Sequence, residues 1–246
     1  MTKYGIIGFP LTHSFSKQYF NDKIEKAGIT DASYENYPLI TIEEFPQLLK
    51  ANSELKGLSV TIPYKETVLQ YINNFSKEVA EIGAANCIRI RRNELTAFNT
   101  DIVGFEKSFI KQLKPAHKKA LVLGTGGASK AVQYVLRKLD IDFLVVSRNK
   151  SNQGNFIQYN EITLAIIDEH KIIINCTPLG MSPAEATYPD IPYNLITARH
   201  YLYDLVYKPE KTLFLQKGEE QGALTCNGFE MLLIQAEENW RIWNEE

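Results

Sequence analysis

Apolar residues along the 246-residue chain fall into short runs separated by stretches with apolar positions three and four apart. The short runs predict strands at 4–8, 33–39, 57–62, 120–123, 142–146, 172–175, 201–206 and 223–225. The three-and-four spacing predicts helices at 17–27, 43–51, 102–113, 210–221 and 229–243, with another closing at 78–83. Residues 87–91 and 95–98 read as a hairpin at a sheet edge, turned by Arg92, Asn93 and Glu94. The segment 151–169 is polar in its first half and too short for a long helical crossover. Strand and helix alternate from the start of the chain, which implies open α/β sheets with ligands at the carboxyl ends of their strands.

The clearest unit is 119–148. An apolar run ends in Gly124, Gly126 and Gly127, and Ala131, Val132, Val135, Leu136 and Leu139 follow at helical spacing. Strand, glycine turn and helix in that order suit a pyrophosphate, which approaches the backbone closely and sits on the free amides of a helix N-terminus. Ser129 occupies the place of the third glycine of the dinucleotide fingerprint, so the turn is a variant. About 20 residues on, where an acidic residue would hold the ribose of NAD, the chain reads Ser147, Arg148, Asn149, Lys150. A guanidinium with no carboxylate in this tetrad suits a 2'-phosphate, so NADP is expected over NAD. An ordinary solvated Arg and Lys in a loop is the plainer alternative.

Composition narrows the class. The chain is 44% apolar and 23% charged with a net charge of −2, an ordinary globular balance. Its cations are dispersed, so neither nucleic acid nor an anionic membrane is expected as a partner. Cys87, Cys176 and Cys226 are far apart and lack metal-ligand spacing, which points to reduced packing residues and to no metal. With no secretory pattern at the start and no apolar run near 18 residues, the cytoplasm is the expected location.

Several residues ask for a chemical reason. Ser14 and Ser16 flank Phe15 behind the first strand. Ser16 reads equally well as the N-cap of the next helix, and His13 as a turn residue. Thr61 and Lys65 follow the third strand, and a lysine in a first helical turn is disfavoured by the helix dipole. Asn86 and Asp101 stand at the two ends of the hairpin, although Asp101 is also a natural N-cap. Residues 176–181 form a turn at the end of the strand at 172–175, facing the cofactor crevice. Gln235 shares a helical face with Met231 and Ile234.

These residues lie in eight ordered blocks: PLTHSFS at 10–16, SVTIPYK at 59–65, GAAN at 83–86, NTDIVG at 99–104, GTGGASKA at 124–131, NCTPLGM at 175–181, YDLVYKP at 203–209 and GFEMLLIQAEENW at 228–240. In them the chain resembles the shikimate dehydrogenase family along nearly its full length. The resemblance implies a two-domain α/β fold, with an open α/β substrate domain, a Rossmann-like NADP domain and an active-site cleft between them. Residues 1–103, joined by the C-terminal helix 226–246, would form the substrate-binding catalytic domain, and 104–225 the dinucleotide domain. Lys65 and Asp101 would be the catalytic pair. Ser14 and Ser16 would bind the substrate carboxylate with help from Tyr207, and Thr61, Asn86, Asp101 and Gln235 would hold ring hydroxyls. Gly124, Thr125, Gly126, Gly127 and Ala128 would cradle the pyrophosphate, with Ser147, Arg148 and Asn149 at the 2'-phosphate. Thr177, Leu205 and Gly228 would line the nicotinamide side.

The implied activity is the reversible NADPH-linked reduction of 3-dehydroshikimate to shikimate in aromatic amino acid biosynthesis, by a monomer or homodimer. Ser59 departs from the family pattern, which usually has Asn before the Val-Thr pair, and this exchange is expected to alter a structural contact only. Ser147-Arg148-Asn149 replaces the family's Asn-Arg-Thr, and the second Arg a few residues later is absent. Three rival readings follow from the same residues: a quinate/shikimate dehydrogenase using NAD, a methylene-tetrahydrofolate dehydrogenase, and a non-catalytic dinucleotide-sensing protein. Arg148 speaks against the first. The serine loop and Gln235 are unexplained by the second, and the third is disfavoured by the presence of both Lys65 and Asp101.

Overall fold

The structure, a computed structural model, describes residues 1–11, 15–149 and 154–245. Ser14, His13 and Lys150 lie outside the described residues. The chain divides into two compact units, Met1–Thr100 with Ala236–Glu246, and Asp101–Gln235.

In chain order the first stretch contains β1 (Thr2–Gly8), α1 (Phe15–Lys26), β2 (Ala32–Pro38), α2 (Phe45–Ala51), β3 (Leu55–Val60), β4 (Asn74–Phe75), α3 (Lys77–Ile82), β5 (Cys87–Arg91) and β6 (Glu94–Phe98). After it come α4 (Asp101–Phe109), β7 (Lys119–Leu123), α5 (Gly127–Lys138), β8 (Asp142–Ser147), β9 (Phe156–Gln158), α6 (Leu164–Glu169), β10 (Ile172–Asn175), β11 (Tyr201–Asp204), α7 (Leu213–Glu220), β12 (Leu224–Cys226) and α8 (Phe229–Asn244).

The sheet of the first unit runs β2-β1-β3-β5-β6-β4. It is mixed, because β1 pairs in parallel with β2 and β3 whereas β3–β5 and β5–β6 are antiparallel. The hairpin turns tightly on Arg92 and Asn93, both at positive φ, the signature of a two-residue turn matched to strand twist. It is not the sheet edge as expected, since the two-residue β4 pairs outside β6. So short a strand carries no periodicity by which a sequence reading could find it.

Alternation along β1 sends Ile7 to one face of this sheet and Tyr4 and Ile6 to the other. Ile7 joins Leu39, Phe45, Leu58, Val60 and Val68 in one core. Tyr4 and Ile6 pack with Phe20, Tyr34, Ala236 and Trp243 in the second. The Trp243 ring lies so close over Gly57 that a Cβ there would stand 2.3 Å from it, and its indole N–H donates to the Ile88 carbonyl at 3.1 Å. That close approach is why position 57 must be glycine. Burying aromatic side chains of this size contributes about 2 to 3 kcal/mol each.

The second unit has the strand order β12-β11-β10-β7-β8-β9, parallel throughout. Counted from β7 this is the doubly wound order, with its switch point between β7 and β10. Continuous apolar runs are what such strands need when both faces are covered. Leu121, Leu123, Ile173, Leu202 and Phe214 form its core, and Phe105, Phe109, Tyr201 and Tyr203 make a separate aromatic stack. The polar stretch after β8 holds the short β9 and α6, so a brief strand takes the place of a helical crossover.

Three sequence readings change. The helix α1 opens at Phe15, which makes Ser16 its second residue and not its cap. Asp101 is the first residue of α4 itself. Lys65 lies in a turn ahead of a 3-10 segment, Thr67–Tyr71, so the helix-dipole argument does not apply to it.

Candidate active site

In the first unit the candidate side chains gather at the carboxyl ends of β1 and β3. The Thr61 N–H donates to the Ile7 carbonyl at 3.0 Å, which extends the β1–β3 pairing by one residue and places Thr61 directly after the strand. The turn behind it brings Lys65 beside the GAAN segment, where the Lys65 carbonyl accepts the Ala85 N–H at 2.7 Å. Asn86, 3% exposed, continues the ladder: its carbonyl accepts Val60 N–H at 2.8 Å and its N–H donates to Phe98 at 3.1 Å. Its side-chain Oδ1 accepts the Thr100 N–H at 2.7 Å, so the amide has one fixed orientation. Ser16 is the second residue of α1 in the same unit, where Tyr34 is fully buried. Burial pushes the Tyr34 phenol up, so it is a neutral hydroxyl at physiological pH.

In the second unit Asp101, 5% exposed, opens α4. Gly104 lies one turn along on the same face. A Cβ at Gly104 would stand 2.6 Å from the Met231 carbonyl and 3.2 Å from Gln235 Cβ, so glycine lets α4 lie directly on α8 beside Gln235. The Gln235 amide donates to the Leu232 carbonyl at 3.1 Å. Tyr207 is half-buried, and burial raises its phenol above the usual range, which keeps it a hydroxyl donor.

The cofactor candidates share one edge of the parallel sheet, because Leu123, Asn175 and Asp204 are register partners at the ends of β7, β10 and β11. Gly124 is at φ +106°, and a side chain there would meet Thr177 Cγ2 at 3.0 Å. Thr125 follows, then Gly126 at the N-cap of α5, with Gly127 and Ala128 in its first turn. A Cβ added at Gly126 would meet nothing within 4 Å, and α5 has no acidic residue in its first turn. Open space over free amides fits a pyrophosphate. Ser129, the missing third glycine, is fully buried and donates back to the Gly124 carbonyl at 2.7 Å. It therefore tethers the turn that a glycine would only have accommodated.

At the end of β8 the Asn149 N–H donates to Ser147 Oγ at 3.1 Å, and the Arg148 carbonyl accepts from Gln158 Nε2 at 3.1 Å. Arg148 is exposed. Its backbone is thus held from β9 while its guanidinium faces solvent, as a 2'-phosphate requires. Leu205 and Gly228 are back to back: the Leu205 carbonyl would stand 2.2 Å from a Cβ at Gly228.

Sequence reasoning missed the residues that hold these loops: Tyr34, Thr100, Gln158, Asp204 and Asn239. Thr100, Asp204 and Asn239 lie inside quoted blocks, but nothing in their neighbouring residues marks them as buried. Cys87 and Cys176 have thiols pushed up by burial, which makes them poor nucleophiles. Among the described residues no group of His, Cys, Asp and Glu could hold a metal, and no helix is long and apolar enough to cross a membrane.

A family profile described as Shikimate dehydrogenase substrate binding domain matches residues 6–88. The chain is 32% identical to Shikimate dehydrogenase (NADP(+)) of Methanosphaera stadtmanae, over 97% of this chain and 90% of that one. A crystal structure of shikimate dehydrogenase from Peptoclostridium difficile superposes with a TM-score of 0.86 at 32% identity, covering 100% of this chain and 92% of that chain. The Thermus thermophilus enzyme, solved in complex with NADP(H) and shikimate, matches with a TM-score of 0.86 at 29% identity, covering 100% and 94%. With likeness above 30% identity running along almost the entire chain, this protein belongs to the shikimate dehydrogenase family.

Proposed function

We propose that this chain is an NADP-dependent shikimate dehydrogenase, interconverting 3-dehydroshikimate and shikimate in aromatic amino acid biosynthesis. The observation that carries the reading is that the match to an NADP-dependent relative covers 97% of this chain and so runs through both units. The first unit serves as the substrate domain and the second as the dinucleotide domain.

When bound, the nicotinamide supplies the hydride, and the protein handles the proton. Lys65 donates a proton to the carbonyl oxygen as it becomes a hydroxyl, and removes it in the oxidative direction. The Asp101 carboxylate is the second catalytic group and holds a substrate hydroxyl. Ser14 and Ser16 bind the substrate carboxylate with Tyr207, and Thr61, Asn86 and Gln235 bind ring hydroxyls. The turn from Gly124 to Ala128 holds the pyrophosphate, and Ser147, Arg148 and Asn149 hold the 2'-phosphate. Thr177, Leu205 and Gly228 form the wall on the nicotinamide side. We place the enzyme in the cytoplasm, as a monomer or homodimer; its three unpaired cysteines suit a reducing compartment.

The test is absorbance at the reduced-nicotinamide band with purified protein, shikimate or quinate, and NADP or NAD. Turnover with shikimate and NADP is expected. Faster turnover with NAD or quinate would move the protein to the broader quinate/shikimate class, and silence in all four with cofactor binding intact would refute an enzyme.

A further inference from the structure

A chain of buried hydrogen bonds runs through the first unit from Tyr34 through Ser59, Asn239 and Thr100, residues to which the reaction assigns no role, to Asn86. The Tyr34 hydroxyl lies 2.9 Å from Ser59 Oγ as its donor, and Asn239 Nδ2 donates to the same Oγ at 3.1 Å. On its other side Asn239 Oδ1 accepts the Thr100 hydroxyl at 2.6 Å, and the Thr100 N–H is the group that orients Asn86. Tyr34 and Asn239 are fully buried, Thr100 is 1% exposed and Ser59 7% exposed.

The two kinds of group in this chain differ in freedom. Hydroxyl hydrogens rotate and can reverse their direction, whereas the amide nitrogen of Asn239 is a donor only. Asn239 presents its Nδ2 to Ser59 and its Oδ1 to the Thr100 hydroxyl, and that hydroxyl also lies 3.1 Å from Asn86 Oδ1. Linked buried bonds of this kind polarise and strengthen each other. The other end of Asn239 holds Asn86 through Thr100. Position 59 is also where the chain departs from its family's usual Asn, so an amide that would come from β3 comes here from α8.

We propose that Asn239 and Ser59 form a positioning pair that holds Thr100, and through it the orientation of Asn86, for the substrate. The inference rests on the assignment of Asn86 to substrate binding. It is tested by steady-state kinetics and thermal unfolding of Ser59→Ala, Asn239→Ala and the double variant Ser59→Asn/Asn239→Ala, beside the wild type. Each single variant is expected to raise the KM for shikimate about ten-fold, with kcat and the KM for NADP within about two-fold. The double variant, with the amide returned to β3, is expected to recover to within about three-fold. A folded Ser59→Ala enzyme with unchanged KM for shikimate would overturn the proposal, and so would a double variant no better than Asn239→Ala. Should Asn239→Ala fail to fold, Ser59→Ala decides by itself, since it removes one oxygen and little volume. Wild-type turnover of shikimate tests the underlying assignment separately.

Discussion

Asn175 and Asp204 are register partners at the carboxyl ends of β10 and β11, and the Asn175 side-chain amide donates to Asp204 Oδ1 at 2.9 Å. The same Asn175 accepts the Thr177 N–H at 3.0 Å and its hydroxyl at 2.6 Å, while Asp204 accepts the Val206 N–H at 3.0 Å and the Thr212 hydroxyl at 2.5 Å. One buried pair thus anchors both loops that carry Thr177 and Leu205 to the cofactor edge.

Burial dominates the ionisation of Asp204 and raises it from 3.8 to about 6, against the opposing pull of its hydrogen bonds from Thr212, Val206 and Asn175. The folded state therefore holds the proton more tightly than the unfolded chain. Stability contributed by the neutral acid is fully present below pH 4 and is lost as pH rises through about 6. The displacement corresponds to about 3 kcal/mol. Denaturant unfolding of wild type and Asp204→Asn between pH 4 and 8 should show the wild type losing about that much relative to the variant as pH rises. A constant difference across the range would show that Asp204 titrates as an exposed carboxylate does.

Replacing Lys65 by Ala should lower kcat about 1,000-fold while the KM for shikimate changes less than about three-fold. That split marks a group that moves a proton in the transition state. Comparable losses in kcat and in affinity would assign Lys65 to binding alone.

Arg148 has its backbone fixed by Gln158 and its side chain exposed. Arg148→Ala should raise the KM for NADP at least about ten-fold, the loss of charge-assisted hydrogen bonds to a phosphate, and leave the KM for NAD within about two-fold. Equal shifts for the two cofactors would place the 2'-phosphate elsewhere.

Local pattern reached far in this protein. Strands such as Ile172–Asn175 and the glycine turn at 124–127 were legible because a period of residues and a demand for backbone freedom are written in neighbouring positions. The blocks around Thr61, Asn86 and Asp101 were legible for the same reason, each being contiguous. What contiguity cannot express is which distant side chain completes a hydrogen bond. Thr100 and Asn239 are 139 positions apart, and Asn239 and Ser59 are 180 apart. Nothing in the polar residues of α8 distinguishes Asn239 from its neighbours Glu237 and Glu238 until the helix is laid against β3. The two-residue β4 and the three-residue β9 were likewise decided by tertiary pairing, since strands so short have no period and gain their hydrogen bonds only from a neighbour already in place. The sequence by itself determined the elements, the turn chemistry and the candidate ligands; tertiary structure decided which buried donors meet which acceptors, because that depends on packing across the fold.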